Sequence, residues 1–154
     1  MRLSTKTRYG VRAIFDIAYH SGNSGSQAKE ISRRQGISSG YLEQIFHRLK
    51  KAGILRTKRG PAGGYFLARK PEDITVGQIV RITEGSLEPA PCVNLNNPGF
   101  NCDRIDNCVT RFIWKEAGQR LEEYLDSVTI QDLCDRAREL GLKDESSENL
   151  MYYI

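Results

Sequence analysis

The sequence holds no run approaching 18 consecutive apolar residues, so no segment of it is suited to crossing a membrane as a helix. Its first ten residues, MRLSTKTRYG, lack the apolar stretch of a secretory signal, so a reducing, cytoplasmic setting is expected. Proline (5) and glycine (14) are too few for a collagen-like or disordered chain. There is no internal repeat and no low-complexity run. Histidine is scarce: His20 and His47 stand alone, and no nucleophile–base constellation surrounds either, so an enzyme is not expected. Four cysteines occur, but without the close CxxC or CxxH pairs that zinc sites favour. In a reducing setting they point to free thiols or metal ligands rather than a disulfide framework.

What is present is charge, unevenly placed. Residues 1–70 carry 15 Lys/Arg against three acids (Asp16, Glu30 and Glu43), a net +12. Residues 71–154 carry 8 Lys/Arg against 16 acids, a net −8. A basic half attracts phosphate and releases counterions, so it reads as a nucleic-acid-binding module joined to a regulatory or oligomerising one. The hydrophobic fraction is 39% and the mean hydropathy −0.50. That is enough for a core, but thin for a free monomer of 154 residues, which favours further burial in a partner.

Apolar spacing predicts a helix over 5–20, carrying Tyr9, Ala13, Ile14, Ile17 and Ala18. A short helix with Ala28 and Ile31 should end at Gly36. The next helix, capped by the side chain of Ser38 or Ser39, carries Tyr41, Leu42, Ile45, Phe46 and Leu49 and stops at Gly53. Helix, tight turn and helix make a helix-turn-helix. Residues 54–59 and 65–68 then read as two strands around the hairpin loop 60–64, a β-wing. That loop is no phosphate-binding loop, because neither Gly-Lys-Ser/Thr nor a helix follows it. Thr75 and Gln78 form a capping box before Ile79, Val80 and Ile82. Residues 85–107 are irregular. A long helix follows, with Val109, Ile113, Ala117, Leu121 and Leu125 at four-residue spacing, flanked by Phe112, Tyr124 and Val128. It is expected to cross onto a second subunit. Thr129 caps a last helix that bears Leu133, Cys134, Ala137 and Leu140 and ends at Gly141.

The second helix of such a motif enters the major groove, so Ser38, Ser39, Tyr41, Glu43 and Gln44 become candidate base contacts. Gln44 suits adenine; Glu43, repelled by phosphate, can accept from cytosine. Leu42, Ile45 and Phe46 read as core. Arg33, Arg34, Arg48, Lys50, Lys51 and the wing residues Lys58 and Arg59 are candidate phosphate or minor-groove contacts. Cys92, Cys102 and Cys108, with nine and five residues between them, suit an iron–sulfur cluster, a redox switch or inert thiols. Cys134 reads as a buried apolar residue.

Several stretches are similar to one known family: MRLSTKTRYGVRAIFDIA, ISRRQGISSGYLEQIFHRLKKAGIL, RGPAGGYFLA, ITVGQIV and CVTRFIW. Across roughly residues 1–134 the chain resembles the Rrf2 family of bacterial regulators, most closely its iron–sulfur-sensing branch. The resemblance implies a mainly α fold, a winged helix-turn-helix with a long dimerisation helix. It implies a homodimeric repressor or activator of cluster-biogenesis genes. It also implies a [2Fe-2S] cluster, lost in air, on Cys92, Cys102 and Cys108. Residues matching Ser39, Glu43, Gln44 and Arg59 read DNA in the family, and the one matching Glu43 selects between two operator classes. The implied partners are duplex operator DNA, a second copy and cluster-assembly proteins, in the cytoplasm at the nucleoid.

The chain departs from that pattern. Arg111 stands where better-known members have a histidine ligand, and arginine does not ligate iron because it stays protonated. Arg8 replaces a carboxylate used by other relatives. The fourth ligand is therefore open among Asp103, Asp106, Cys134 and an outside thiol. The first cysteine spacing is also longer. The MYYI end is similar to that of cysteine-metabolism repressors in the family, which lack the loop cysteines and take a partner enzyme. A cluster-free repressor governed by thiol oxidation or a partner enzyme is the alternative. The expected organisation is a DNA-binding domain over 1–84, a cysteine loop over 85–108, dimerisation and terminal helices over 109–141, and a flexible tail over 142–154.

Overall fold

A computed structural model describes residues 3–21, 25–61, 63–94 and 99–144. The first helix, α1 (Thr5–His20), starts where Ser4 accepts a hydrogen bond from the Thr7 N–H, and it buries Ala13, Ile14 and Ile17. Next comes α2 (Ala28–Gln35), which ends at Gly36 in the left-handed region. A short turn leads to α3 (Ser39–Lys51), whose Leu42, Ile45, Phe46 and Leu49 are buried. Each contributes about 1.5–3 kcal/mol by leaving water. Gly53 closes α3 at φ +73°, with the Ile54 N–H bonded back to the Leu49 carbonyl at 2.9 Å. Ser38 occupies the N-cap position of α3, but its side chain makes no capping hydrogen bond. The expected cap is corrected to this extent: the Ser38 carbonyl serves the Tyr41 and Leu42 N–H groups, while its side chain is exposed.

The wing pairs β1 (Leu55–Lys58) with β2 (Gly64–Leu67) antiparallel, Leu55 opposite Leu67 and Lys58 opposite Gly64. Ser26 extends this ribbon by exchanging two backbone hydrogen bonds with Tyr65, at 3.0 and 2.9 Å. The Gln27 side chain donates to the Gly63 carbonyl at 2.8 Å. A Cβ on Gly63 would lie 2.3 Å from the Lys58 carbonyl oxygen, so the loop closes only over glycine.

One buried charge ties α1 to α2. Asp16 is fully buried and accepts from Arg34 through Nη2 at 2.7 Å and through Nε at 3.1 Å. Gln35 donates a third hydrogen bond at 2.8 Å and itself accepts from Arg12 at 3.1 Å. Arg34 is thus committed to the core side of α2, against the expectation that it contacts phosphate. A carboxylate cannot be buried without a partner, and this arginine is the partner.

The second half of the chain adds α4 (Val76–Glu84), α5 (Arg111–Ser127) and α6 (Ile130–Glu139), with a 3-10 turn at Pro91–Val93. Capping boxes start α4 (Thr75 with Gln78) and α6 (Thr129 with Asp132), as their spacing predicts. The segments before them pair: the Val76 N–H bonds the Val128 carbonyl at 2.8 Å, and the Ile130 N–H the Ile74 carbonyl at 2.9 Å. Arg81 grips Asp126 in a bidentate pair at 2.6 and 2.9 Å. That pair passes over Gly77, where a Cβ would meet Asp126 Oδ1 at 2.0 Å. The Arg81 hydrogen bond holds the Asp126 carboxyl below its ordinary value. At the other end of α4, burial raises the Glu84 carboxyl, but hydrogen bonds from Ser4 and Thr7 and the charge of Lys6 leave it lowered overall.

The long helix starts at Arg111, two residues after the apolar pattern begins. It has more of its own chain to pack on than the pattern suggests. Leu121 and Leu125, with Val128, lie against Val76, Val80 and Leu87. It also leaves apolar side chains bare: Phe112 and Tyr124 are 64 and 65% exposed, and Val109 just before it is 80% exposed. The expected tail falls largely on residues 145–154, outside the described residues.

Removing one partner of a buried ion pair costs about 3–5 kcal/mol. Asp16→Ala and Arg34→Ala are each expected to lower the urea unfolding midpoint by that scale. A wild-type midpoint for Arg34→Ala, with duplex affinity lost instead, would return it to the phosphate contacts. Because Asp126 and Glu84 are depressed, their stabilisation is fully present above the ordinary carboxylate range. It is lost as pH falls through their folded values, so circular dichroism should show unfolding set in below about pH 4. Asp126→Asn should remove part of that acid sensitivity.

Candidate nucleic-acid interface and cysteine loop

Helical periodicity turns Leu42, Ile45, Phe46 and Leu49 inward, and so turns Glu43, Gln44 and Arg48 outward. Phe46 is held against the Tyr65 ring at 4.5 Å, which seats α3 on the wing. Tyr41 is half-buried, edge-on to Tyr9 at 5.9 Å, and Ser39 is half-buried beside the exposed Ser38. Burial, and then the negative charge of Glu43, raise the Tyr65 phenol above its ordinary value. An open depression on this side is lined by Lys6, Gly40, Glu43, Gln44, His47 and Arg48. Of these, Lys6, Gly40 and His47 escaped the sequence reading. His47 carried a signal, lying four residues after Glu43 on the same helix face. Lys6 carried none, because only the packing of α1 on α3 brings it there. Lys50, Lys51, Lys58 and Arg59 are exposed on α3 and the wing. The surface is an open, cationic, hydrogen-bonding one, suited to a polyanion rather than to a small molecule.

The cysteine segment lies between α4 and α5. Cys92 sits in the 3-10 turn, and its carbonyl accepts from Arg111 Nε at 3.1 Å. Arg111 thus anchors the loop to the start of α5. Cys92, Cys102 and Cys108 are free thiols of intermediate exposure, with Asp103 and Asp106 exposed between them. The Thr110 hydroxyl, 3.2 Å from Cys108 Sγ, lowers that thiol's pKa, helped by the Arg111 N–H and the charge of Arg104. Three thiols, one of them biased toward thiolate, are the donor chemistry that an iron–sulfur cluster takes. Among the described residues, however, no three His, Cys, Asp or Glu side chains are gathered closely enough to hold a metal ion. Cys134 is a core residue, as its sequence position suggests: it is 2% exposed, and burial pushes its thiol up to about 11.

The Rrf2 model, described as an iron-dependent transcriptional regulator, matches residues 3–136. The chain belongs to the Rrf2 family of transcriptional regulators. Among its relatives is the HTH-type transcriptional regulator IscR of Sodalis glossinidius, 36% identical over 149 residues, covering 97% of this chain and 88% of that one. The IscR of Pectobacterium carotovorum is 34% identical over 150 residues, covering 97% and 89%. Among solved structures, T. potens IscR is 40% identical, with a TM-score of 0.74, covering 99% of this chain and 97% of that one. CymR, the global cysteine regulator of B. subtilis, is 31% identical, with a TM-score of 0.75, covering 88% and 98%. The helix-turn-helix and wing of this Rrf2 chain are therefore those of a transcriptional regulator, and the relatives are regulators rather than enzymes. No helix among the described residues is long and apolar enough to cross a membrane.

Thiol reactivity should follow these environments. Brief alkylation of the native, metal-free protein near pH 7.5, read by peptide mass spectrometry, should label Cys108 first and leave Cys134 unmodified until denaturant is added. Because the Cys108 value is lowered, its labelling should persist to lower pH than that of an ordinary thiol. Early labelling of Cys134 would contradict its placement in the core.

Proposed function

We propose that this protein is a homodimeric regulator of iron–sulfur cluster biogenesis genes that senses cluster status through a [2Fe-2S] cluster on Cys92, Cys102 and Cys108. The observation that carries the reading is the juxtaposition of an outward, basic surface on α3 and the wing with a three-thiol loop anchored to α5. The exposed apolar side chains of α5, Phe112, Ile113, Trp114 and Tyr124, support pairing with a second copy. A twofold pair would present two α3 helices to half-sites about one helical turn, roughly 34 Å, apart. In this reading Ser38, Ser39, Tyr41, Glu43 and Gln44 meet base edges or the adjacent backbone, and Arg48, Lys58 and Arg59 meet phosphate. The fourth ligand is open among Asp103, Asp106, Cys134 and an outside thiol. When bound, the cluster supplies a group whose presence and redox state vary with iron and oxygen.

The chain's own residues offer a route from loop to operator. Pro89 packs so closely on α5 that a Cβ on Gly118 would lie 3.0 Å from its Cδ. Arg111 holds the Cys92 carbonyl, and Arg81 with Asp126 clasps α5 to α4. A loop with two arrangements would thus bias the angle of α5 and the spacing of the paired α3 helices. Such coupling needs the cluster to prefer one of those arrangements.

A second reading is favoured by the likeness to CymR and by the lowered thiol of Cys108. It is a cluster-free repressor governed by thiol oxidation or by a partner enzyme, as in cysteine metabolism. The two part company on anaerobic purification. Cluster sensing predicts a coloured protein with about one [2Fe-2S] per chain, and colour lost in Cys92→Ala. A colourless protein that iron and sulfide do not reconstitute, but whose duplex binding responds to peroxide, would establish the second. For either, Gln44→Ala should relax sequence preference, with about 1–3 kcal/mol of discrimination lost at one base pair. Lys58→Ala should weaken all duplexes alike and reduce the salt slope by about 0.9. Equal loss on every sequence from Gln44→Ala would refute its assignment.

A further inference from the structure

We infer that His47, with Lys6 behind it, belongs to the duplex-reading surface, and that His47 is a specificity-determining residue whose contribution depends on protonation. The inference rests on the DNA-binding reading above and deepens it. At 100° per residue, Leu42, Ile45, Phe46 and Leu49 of α3 point into the core. The ridge opposite them runs through Gly40, Gln44, His47 and Lys51, so His47 stands at the centre of the outward face. It is exposed and lines one open depression with Gln44 and Glu43 one turn earlier, Arg48 beside it and Lys6 from α1. The charged groups around it are Lys6, Arg48, Lys50 and Lys51 and the carboxylate of Glu43, with the Tyr65 phenol of β2 near that carboxylate. Protonation changes what an imidazole offers a base edge. Protonated, it donates from both nitrogens to base acceptors and offsets the repulsion between Glu43 and phosphate. Neutral, it keeps one donor and one acceptor. Lys6 has only a charge to offer, so its contact is with phosphate and carries no sequence information.

The test uses the full-length protein and a randomised duplex pool, from which a preferred sequence is selected. Affinities for that duplex and a scrambled one are measured at pH 6 and pH 8 at fixed salt. Wild type should gain preference for the selected duplex at pH 6. His47→Ala and His47→Gln should lose that gain and relax one base position by about 5- to 150-fold, the span of a single good base contact. His20→Gln, which alters the other histidine of the chain, should keep the gain. Lys6→Ala should weaken both duplexes equally and lower the salt slope by about 0.9. Melting curves of the His47 variants should match wild type, because the side chain is exposed. If wild type selects no sequence, the DNA-binding reading itself fails. If it selects one and the His47 variants keep both its base preference and its pH response, this inference alone is overturned.

Discussion

The buried carboxylate of Asp16 is the constraint on which the DNA-facing half turns. It lies in α1, flanked in the buried stripe by Ala13, Ile14 and Ile17, and it is tolerable there only because Arg34 and Gln35 arrive from α2. That requirement sets where α2 lies along α1. The connection from α2 to α3 is short and passes through a left-handed glycine, so α3 follows from α2. A hydrophobic contact could slide; a bidentate pair in a dry site cannot without losing its hydrogen bonds. The orientation of the outward ridge of α3 is therefore inherited from a polar interaction on the opposite side of the motif.

A second constraint acts between the halves. At Gly77 a side chain would collide with a neighbouring element, and at Gly118 it would be in tight contact with one. Asp126 of α5 lies over the first and Pro89 of the cysteine segment lies over the second. Packing of this kind deforms poorly and tends to shift as a unit. A change in the loop would thus be passed on to α5 and, through Arg81, to α4, rather than absorbed locally. The basic residues gather on the elements up to β2 and the acids on those after it, so the two halves also differ in what they attract.

Much of the architecture was readable from local rules. The stripes of α1 and α3, the left-handed glycines at 36, 53 and 141, and the capping boxes at Thr75 and Thr129 all depend on residues within a turn or two of each other. The misreadings came where a distant group intervened. Arg34 looks like its neighbour Arg33 until Asp16, 18 residues earlier, claims it. Ser38 looks like a capping hydroxyl, yet its carbonyl carries the hydrogen bonds of the first turn. His47 was legible in the sequence, because it lies seven residues after Gly40, two turns along the same outward ridge of α3. Cys134 was legible as core from its phase on α6.

Alone, the order of residues determined the kinds of element, their ends, the basic and acidic halves, and the presence of three thiols in one irregular segment. Those properties follow from side-chain volume, periodicity and charge, each a short-range matter. Tertiary structure decided which arginine faces solvent, that Lys6 joins the α3 surface, how tightly the cysteine segment sits on α5, and which face of α5 is left bare. These depend on which helices touch and at what angle. That is set by close packing and by the pairing of buried charge between residues far apart in the chain, and no local pattern encodes it.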